Sequence, residues 1–125
     1  MLTETQMQTA LQAYLEALNA GDAEAIVDLF ADDASIEDPV GLGVKKGREA
    51  LVAFYRNAVN TGARFQLDGP IRASFSNTAA MAISVVVALR GTPVRIDIIE
   101  VMNFDEAGKI CSMQAIFGRS NIEPL

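Results

Sequence analysis

The chain predicts an α+β fold, three helices from its N-terminal half packed on a curved, mostly antiparallel sheet. Three observations carry that prediction. Apolar residues recur at helical spacing up to about residue 60. They alternate at strand spacing from Phe65 onward. Turn-forming residues punctuate the second half at short intervals. With 125 residues, half of them apolar, the chain suits one domain spanning 1–125, large enough for a real core.

The elements follow in order. Thr3 and Gln6 form a capping box for a first helix, whose stripe is Met7, Leu11, Tyr14 and Leu18. Gly21 stands where a left-handed cap ends that helix. Asp22 caps a second helix, Ala23 to Ala31, with Ile26, Leu29 and Phe30 inward. Ala34, Ile36 and Asp38 share one face of a short strand that Pro39 and Gly41 stop. Lys45, Lys46 and Gly47 lie near a turn. Arg48 to Asn60 is a third helix, with Leu51, Phe54, Tyr55 and Ala58 on one side.

Strands make up the rest. Phe65 and Leu67 begin one, Gly69-Pro70 interrupts, and Ile71, Ala73 and Phe75 resume it. Ser76-Asn77-Thr78 is a turn. Ala79 to Arg90 is a long strand, closed by Gly91-Thr92-Pro93 and answered by Val94 to Phe104. Asp105 to Lys109 is a hairpin loop before a last strand, Ile110 to Phe117. Ala79 to Leu89 is apolar on both faces, so the face turned from the helices needs cover. A two-fold homodimer through the sheet is the simplest cover.

Composition excludes several chemistries. The chain has no His, so neither a Ser-His-Asp triad nor a Cys-His dyad can form. The single cysteine, Cys111, and carboxylates make a poor zinc set. The net charge is −6, and residues 1–44 hold nine acids and no Lys or Arg. No basic face with aromatics is present, so a nucleic-acid partner is not expected. The N-terminus has no signal-peptide pattern and no apolar run is long enough for a membrane span. A cytoplasmic location without membrane contact is the expectation.

Three polar residues stand on faces where apolar ones belong. Glu100 shares its face with Ile96, Ile98, Met102 and Phe104. A carboxyl buried there takes up a proton and becomes a donor. A bulge that turns Glu100 outward, or a salt bridge to Arg95, would account for it equally. Asp38 shares a face with Ala34 and Ile36, but Asx-Pro also starts turns. Tyr14 lies in an apolar helix stripe, which is also where a core Tyr sits, and Tyr55 has the same ambiguity. An ionised carboxylate, a neutral acid and a phenol together suit proton abstraction next to a carbonyl, with no cofactor and no metal.

The run Leu18-Asn19-Ala20-Gly21-Asp22 and the run Ala31-Asp32-Asp33-Ala34-Ser35-Ile36-Glu37-Asp38-Pro39-Val40-Gly41 resemble the Δ5-3-ketosteroid isomerases. So do Phe54-Tyr55, Phe104 to Ile110, Ser112-Met113-Gln114-Ala115 and Phe117. The resemblance covers nearly the whole chain, and its shorter pieces recur in the wider nuclear-transport-factor-2-like superfamily. It implies a conical α+β barrel, usually dimeric, with a deep apolar pocket for a small-molecule steroid. It also implies Asp38 as general base, moving a proton from carbon 4 to carbon 6, and Tyr14 as oxyanion-hole donor. Tyr55 would support Tyr14; some members carry a further tyrosine where this chain has Phe30. The third catalytic position, Asp in the family, is Glu100 here. A neutral carboxylic acid donating to the oxyanion is the family's own device, taken over with the resemblance. The longer side chain can displace that donor and slow the reaction.

The implied pocket lining is Leu18, Leu29, Val59, Ile83, Val85, Ile96, Ile98, Met102, Met113, Ala115 and Phe117. Ordinary core packing explains the same positions, since an apolar pocket is an unfilled core. Two rivals stand beside steroid isomerisation. One is another enzyme on the fold. Dehydratase and cyclase relatives use a histidine, absent here. Epoxide-hydrolase relatives use an Asp-Arg-Asp arrangement, whereas Arg95 and Asp97 lie on the strand face opposite Glu100. The other rival is a non-catalytic binder of a flat apolar ligand.

Overall fold

The computed structural model describes residues 1–125. Helix α1, Glu4–Ala20, has the Thr3/Gln6 capping box and ends on Gly21 in the left-handed conformation, φ 70°. It buries Met7, Leu11, Tyr14, Leu15 and Leu18. Helix α2 is Ala23–Val27, capped by the Asp22 side chain on the Ala25 N–H. Strand β1 is Phe30–Glu37, β2 is Val44–Lys46 and helix α3 is Arg48–Asn60. Strands β3 to β6 are Arg64–Leu67, Thr78–Leu89, Thr92–Phe104 and Ile110–Ile116. A 3₁₀ turn, Arg119–Asn121, leads into β7, Ile122–Pro124.

The sheet order is β2-β1-β6-β5-β4-β3, with β7 beside β5. Only the β1/β6 pair is parallel. The sheet is open at β2 and β3, and the three helices fill its concave side as in a cone. The long β4/β5 pair runs in register from Thr78↔Asn103 to Leu89↔Thr92. Its two-residue turn is Arg90-Gly91, both at positive φ (51° and 82°), which suits the twist of a tight hairpin. Asn19 at the end of α1 bonds both backbone groups of Phe65, at 2.9 and 2.8 Å, and so ties down the exposed edge strand β3.

Four expectations change. The second helix stops at Val27, not Ala31, because Phe30 and Ala31 open β1. Phe30 pairs with Ile110, and the Ile110 N–H donates to the Leu29 carbonyl at 2.9 Å. Residues 44–46 form a strand rather than a turn; all three are exposed, so hydrogen bonds to β1 hold it and no burial pattern betrays it. Ile71 to Phe75 is not a strand. Arg72 makes one bridge to Ala80, and Phe75 lies wholly in solvent. The closing turn is Arg90-Gly91, so Thr92 and Pro93 belong to β5.

Candidate active site

The concave face is a ladder of side chains set by strand register. Residues opposite each other on paired strands share a face. Glu100 stands between Met81 of β4 and Ala115 of β6. One pair along lie Ala79, Met102 and Met113; on the other side come Ile83/Ile98 and then Val85/Ile96. All are buried. Glu100 is therefore inside, 2% exposed, and no bulge turns it outward. It forms no salt bridge with Arg95, whose partners are Asp97 and Asp68 on the outer face.

The helices place the phenols above this ladder. Tyr14 of α1 and Tyr55 of α3 are both fully buried, their hydroxyls 2.9 Å apart. The rings meet edge to face at 6.0 Å, and Phe30 packs against both at 6.2 and 5.7 Å. The aromatic trio fixes the hydroxyls from behind. Asp38 follows directly after β1, before the cis Asp38–Pro39 bond. It is half-buried, and no hydrogen bond or ion pair holds its carboxylate.

The electrostatics separate the two carboxyls. Burial, reinforced by the negative charge of Asp38, pushes Glu100 up to about 8, against a smaller pull from the Tyr14 hydroxyl. Its Oε1 is buried with no partner. A buried polar atom left so costs about 1–3 kcal/mol, and a carboxyl perturbed in this way is a candidate for function. Burial lifts Asp38 to about 6, while Lys45 pulls it back. The two shifts order the carboxyls, with Glu100 holding its proton to higher pH than Asp38. Tyr14 is raised well above its ordinary value, by burial first and then by Glu100 and Tyr55, so its proton stays in place as a donor. Burial acts likewise on Tyr55.

The remaining expected lining divides. Leu18, Ile83, Val85, Ile96, Ile98, Met102, Met113 and Ala115 are buried in the one core cluster. Leu29, Val59 and Phe117 are half-buried at its margin. Met81, directly beside Glu100, belongs with them and was overlooked, although its alternation with Ile83 and Val85 marks it. Five cavities of about 400 to 680 Å³ are lined by residues other than Tyr14, Asp38, Tyr55 and Glu100. Tyr14, Tyr55 and Glu100 are closely packed, each 1–2% exposed.

Known proteins bear on this arrangement. A steroid Delta-isomerase of Nocardioides simplex is 32% identical over 112 residues, covering 90% of this chain and 89% of its own. The epoxide hydrolase LasB of Streptomyces lasalocidi is 29% identical over 122 residues, which are 94% of this chain but only 43% of that protein. The solved structure of the epoxide hydrolase/cyclase-like enzyme SalBIII, studied for pyran ring formation in the polyether salinomycin, superposes with a TM-score of 0.93 at 28% identity, each chain covered completely. These relatives are enzymes. The SnoaL-like domain profile matches residues 11–113, and the chain belongs to that nuclear-transport-factor-2-like family.

Proposed function

We propose that the chain is a cofactor-independent steroid Δ5–Δ4 isomerase. The observation that carries this reading is a carboxyl, Glu100, buried in an apolar ladder with its Oε1 unpartnered, while the half-buried Asp38 stands at the end of β1. The Asp38 carboxylate takes a proton from carbon 4 of a Δ5-3-ketosteroid. The electron pair moves into the ring, and the carbonyl oxygen at carbon 3 becomes a dienolate oxygen. Tyr14 and Glu100 donate hydrogen bonds to it. Asp38 returns the proton to carbon 6, and the double bond ends conjugated with the carbonyl. A donor aimed at such an oxygen in a dry site is worth roughly 10²–10³ in rate, and a well-placed base roughly 10²–10⁴. The similarity to the Nocardioides simplex isomerase supports the same reading.

A second reading has its own support in the two epoxide-acting relatives. There Asp38 would deprotonate an attacking hydroxyl, and Glu100 or Tyr14 would protonate the epoxide oxygen as its C–O bond breaks. Ultraviolet absorbance of the steroid reaction, with chromatography of a hydroxy-epoxide beside it, separates the readings. Growth of a conjugated-enone band from a Δ5-3-ketosteroid, with a hydroxy-epoxide left intact, is the expected result. The opposite pattern would replace isomerisation by epoxide opening. Tight binding of a phenolic steroid without either turnover would leave a binding protein.

We also propose a homodimer through the outer sheet face, working in the cytoplasm. Val86, Ile99 and Ile116 are 40–47% exposed there, beside a cavity of about 490 Å³ that carries Arg95, Asp97 and Asp68. Sedimentation of wild type against Ile99→Glu tests it. A dimer converted to monomer is expected, and a wild-type monomer would refute it.

A further inference from the structure

Lys45 sits where the base would need a counter-charge. Its strand partner is Ile36, which points into the core, so Lys45 projects from the same face of the sheet. Asp38 lies two residues beyond Ile36, just past the end of β1 at Glu37. The Lys45 ammonium stands 5.5 Å from the centre of the Phe54 ring on α3, a cation–π seat. Phe54 in turn packs edge to face on Tyr55 at 5.0 Å. The neighbouring cations are committed elsewhere: Arg48 pairs with Asp28 and Glu24, and Arg56 with Glu24. Lys45 pairs with no carboxylate.

The other charged and titratable groups around Asp38 leave it without compensation. Glu100 of β5 adds negative charge when ionised; Tyr14 and Tyr55 are neutral. Glu37 faces away, bonded to the Gly41 N–H and Gln114. Lys46 pairs with Ser35, on the face opposite Lys45.

We propose that Lys45, seated on Phe54 and paired across the strand with Ile36, is a positioning residue of the site: its ammonium is the counter-charge of the Asp38 carboxylate. The role rests on Asp38 being the base. It is consistent with Lys45 being the one group that lowers Asp38. The exposed ammonium acts through solvent, so salt weakens its effect.

The test is a carbon-13 titration of the Asp38 carboxyl in wild type, Lys45→Met and Lys45→Arg, with the pH dependence of isomerisation beside it. Lys45→Met is expected to raise the Asp38 titration by roughly half a unit to one unit. Turnover at pH 5 then drops about threefold to tenfold, and the ratio to wild type returns toward one as pH approaches 8. Lys45→Arg restores the wild-type titration, and molar salt moves wild type toward Lys45→Met. An Asp38 titration unchanged in Lys45→Met overturns the proposal. If no protein turns over the steroid, the titration still decides the role of Lys45, and only the isomerase reading falls.

Discussion

Glu100→Gln keeps a hydrogen-bond donor of the same length and removes the titration. Its effect on stability is calculable. The carboxyl moves from an ordinary 4.5 to about 8 in the folded protein. The folded state therefore holds a proton that the unfolded chain releases from about pH 4.5 upward. Stability contributed by that proton is whole below pH 4.5, falls as pH rises and is gone above about 8. At about 1.4 kcal/mol per pH unit, the whole window is worth roughly 5 kcal/mol, a large part of the 5–15 kcal/mol typical of a domain. Asp38 adds a smaller slope of the same sign from 3.8 to about 6, and the variant keeps it. Urea unfolding at half-unit steps from pH 5 to 9 reads the difference. The wild-type curve should fall well below that of Glu100→Gln as pH rises to 8. Parallel curves would refute the reasoning, because they would mean that Glu100 is ionised in the folded protein or solvated.

Three further outcomes follow from the same geometry. The pH profile of kcat/KM should be a bell, rising through about 6 as Asp38 ionises and falling through about 8 as Glu100 loses its proton, read by steady-state turnover. Tyr14→Phe should lower kcat roughly 10²–10³-fold. It should cost about 1–3 kcal/mol in stability by urea unfolding, since the buried Tyr55 hydroxyl loses its partner. Glu100→Asp should change the rate if the donor's reach matters, and an unchanged kcat would remove any fine geometric role for the longer side chain.

Much of this was legible in the residues. The stripe of α1, the long β4/β5 pair and β6 all bury one face, and burial is what periodicity reports. Glu100 was visible as a polar intruder in an apolar alternation, and its burial holds. Elements held by hydrogen bonds alone were not legible. Strand β2 is exposed at all three residues, and β7 at two of three. Ile71, Ala73 and Phe75 mimic a strand by alternation, yet the chain there makes only the Arg72–Ala80 bridge. Lys45 was missed for the same reason: its meaning depends on the Ile36 pairing, a contact between segments nine residues apart. Alternation also cannot tell a filled core from a pocket.

The division of labour between Asp38 and the oxyanion donors is tested most directly by Asp38→Asn. Turnover of a Δ5-3-ketosteroid and affinity for a phenolic steroid should be measured side by side. Turnover is predicted to fall roughly 10²–10⁴-fold. Phenol binding should stay at least as tight, because Tyr14 and Glu100 remain and a negative charge is gone. Asp38→Asn turning over at the wild-type rate would contradict the account.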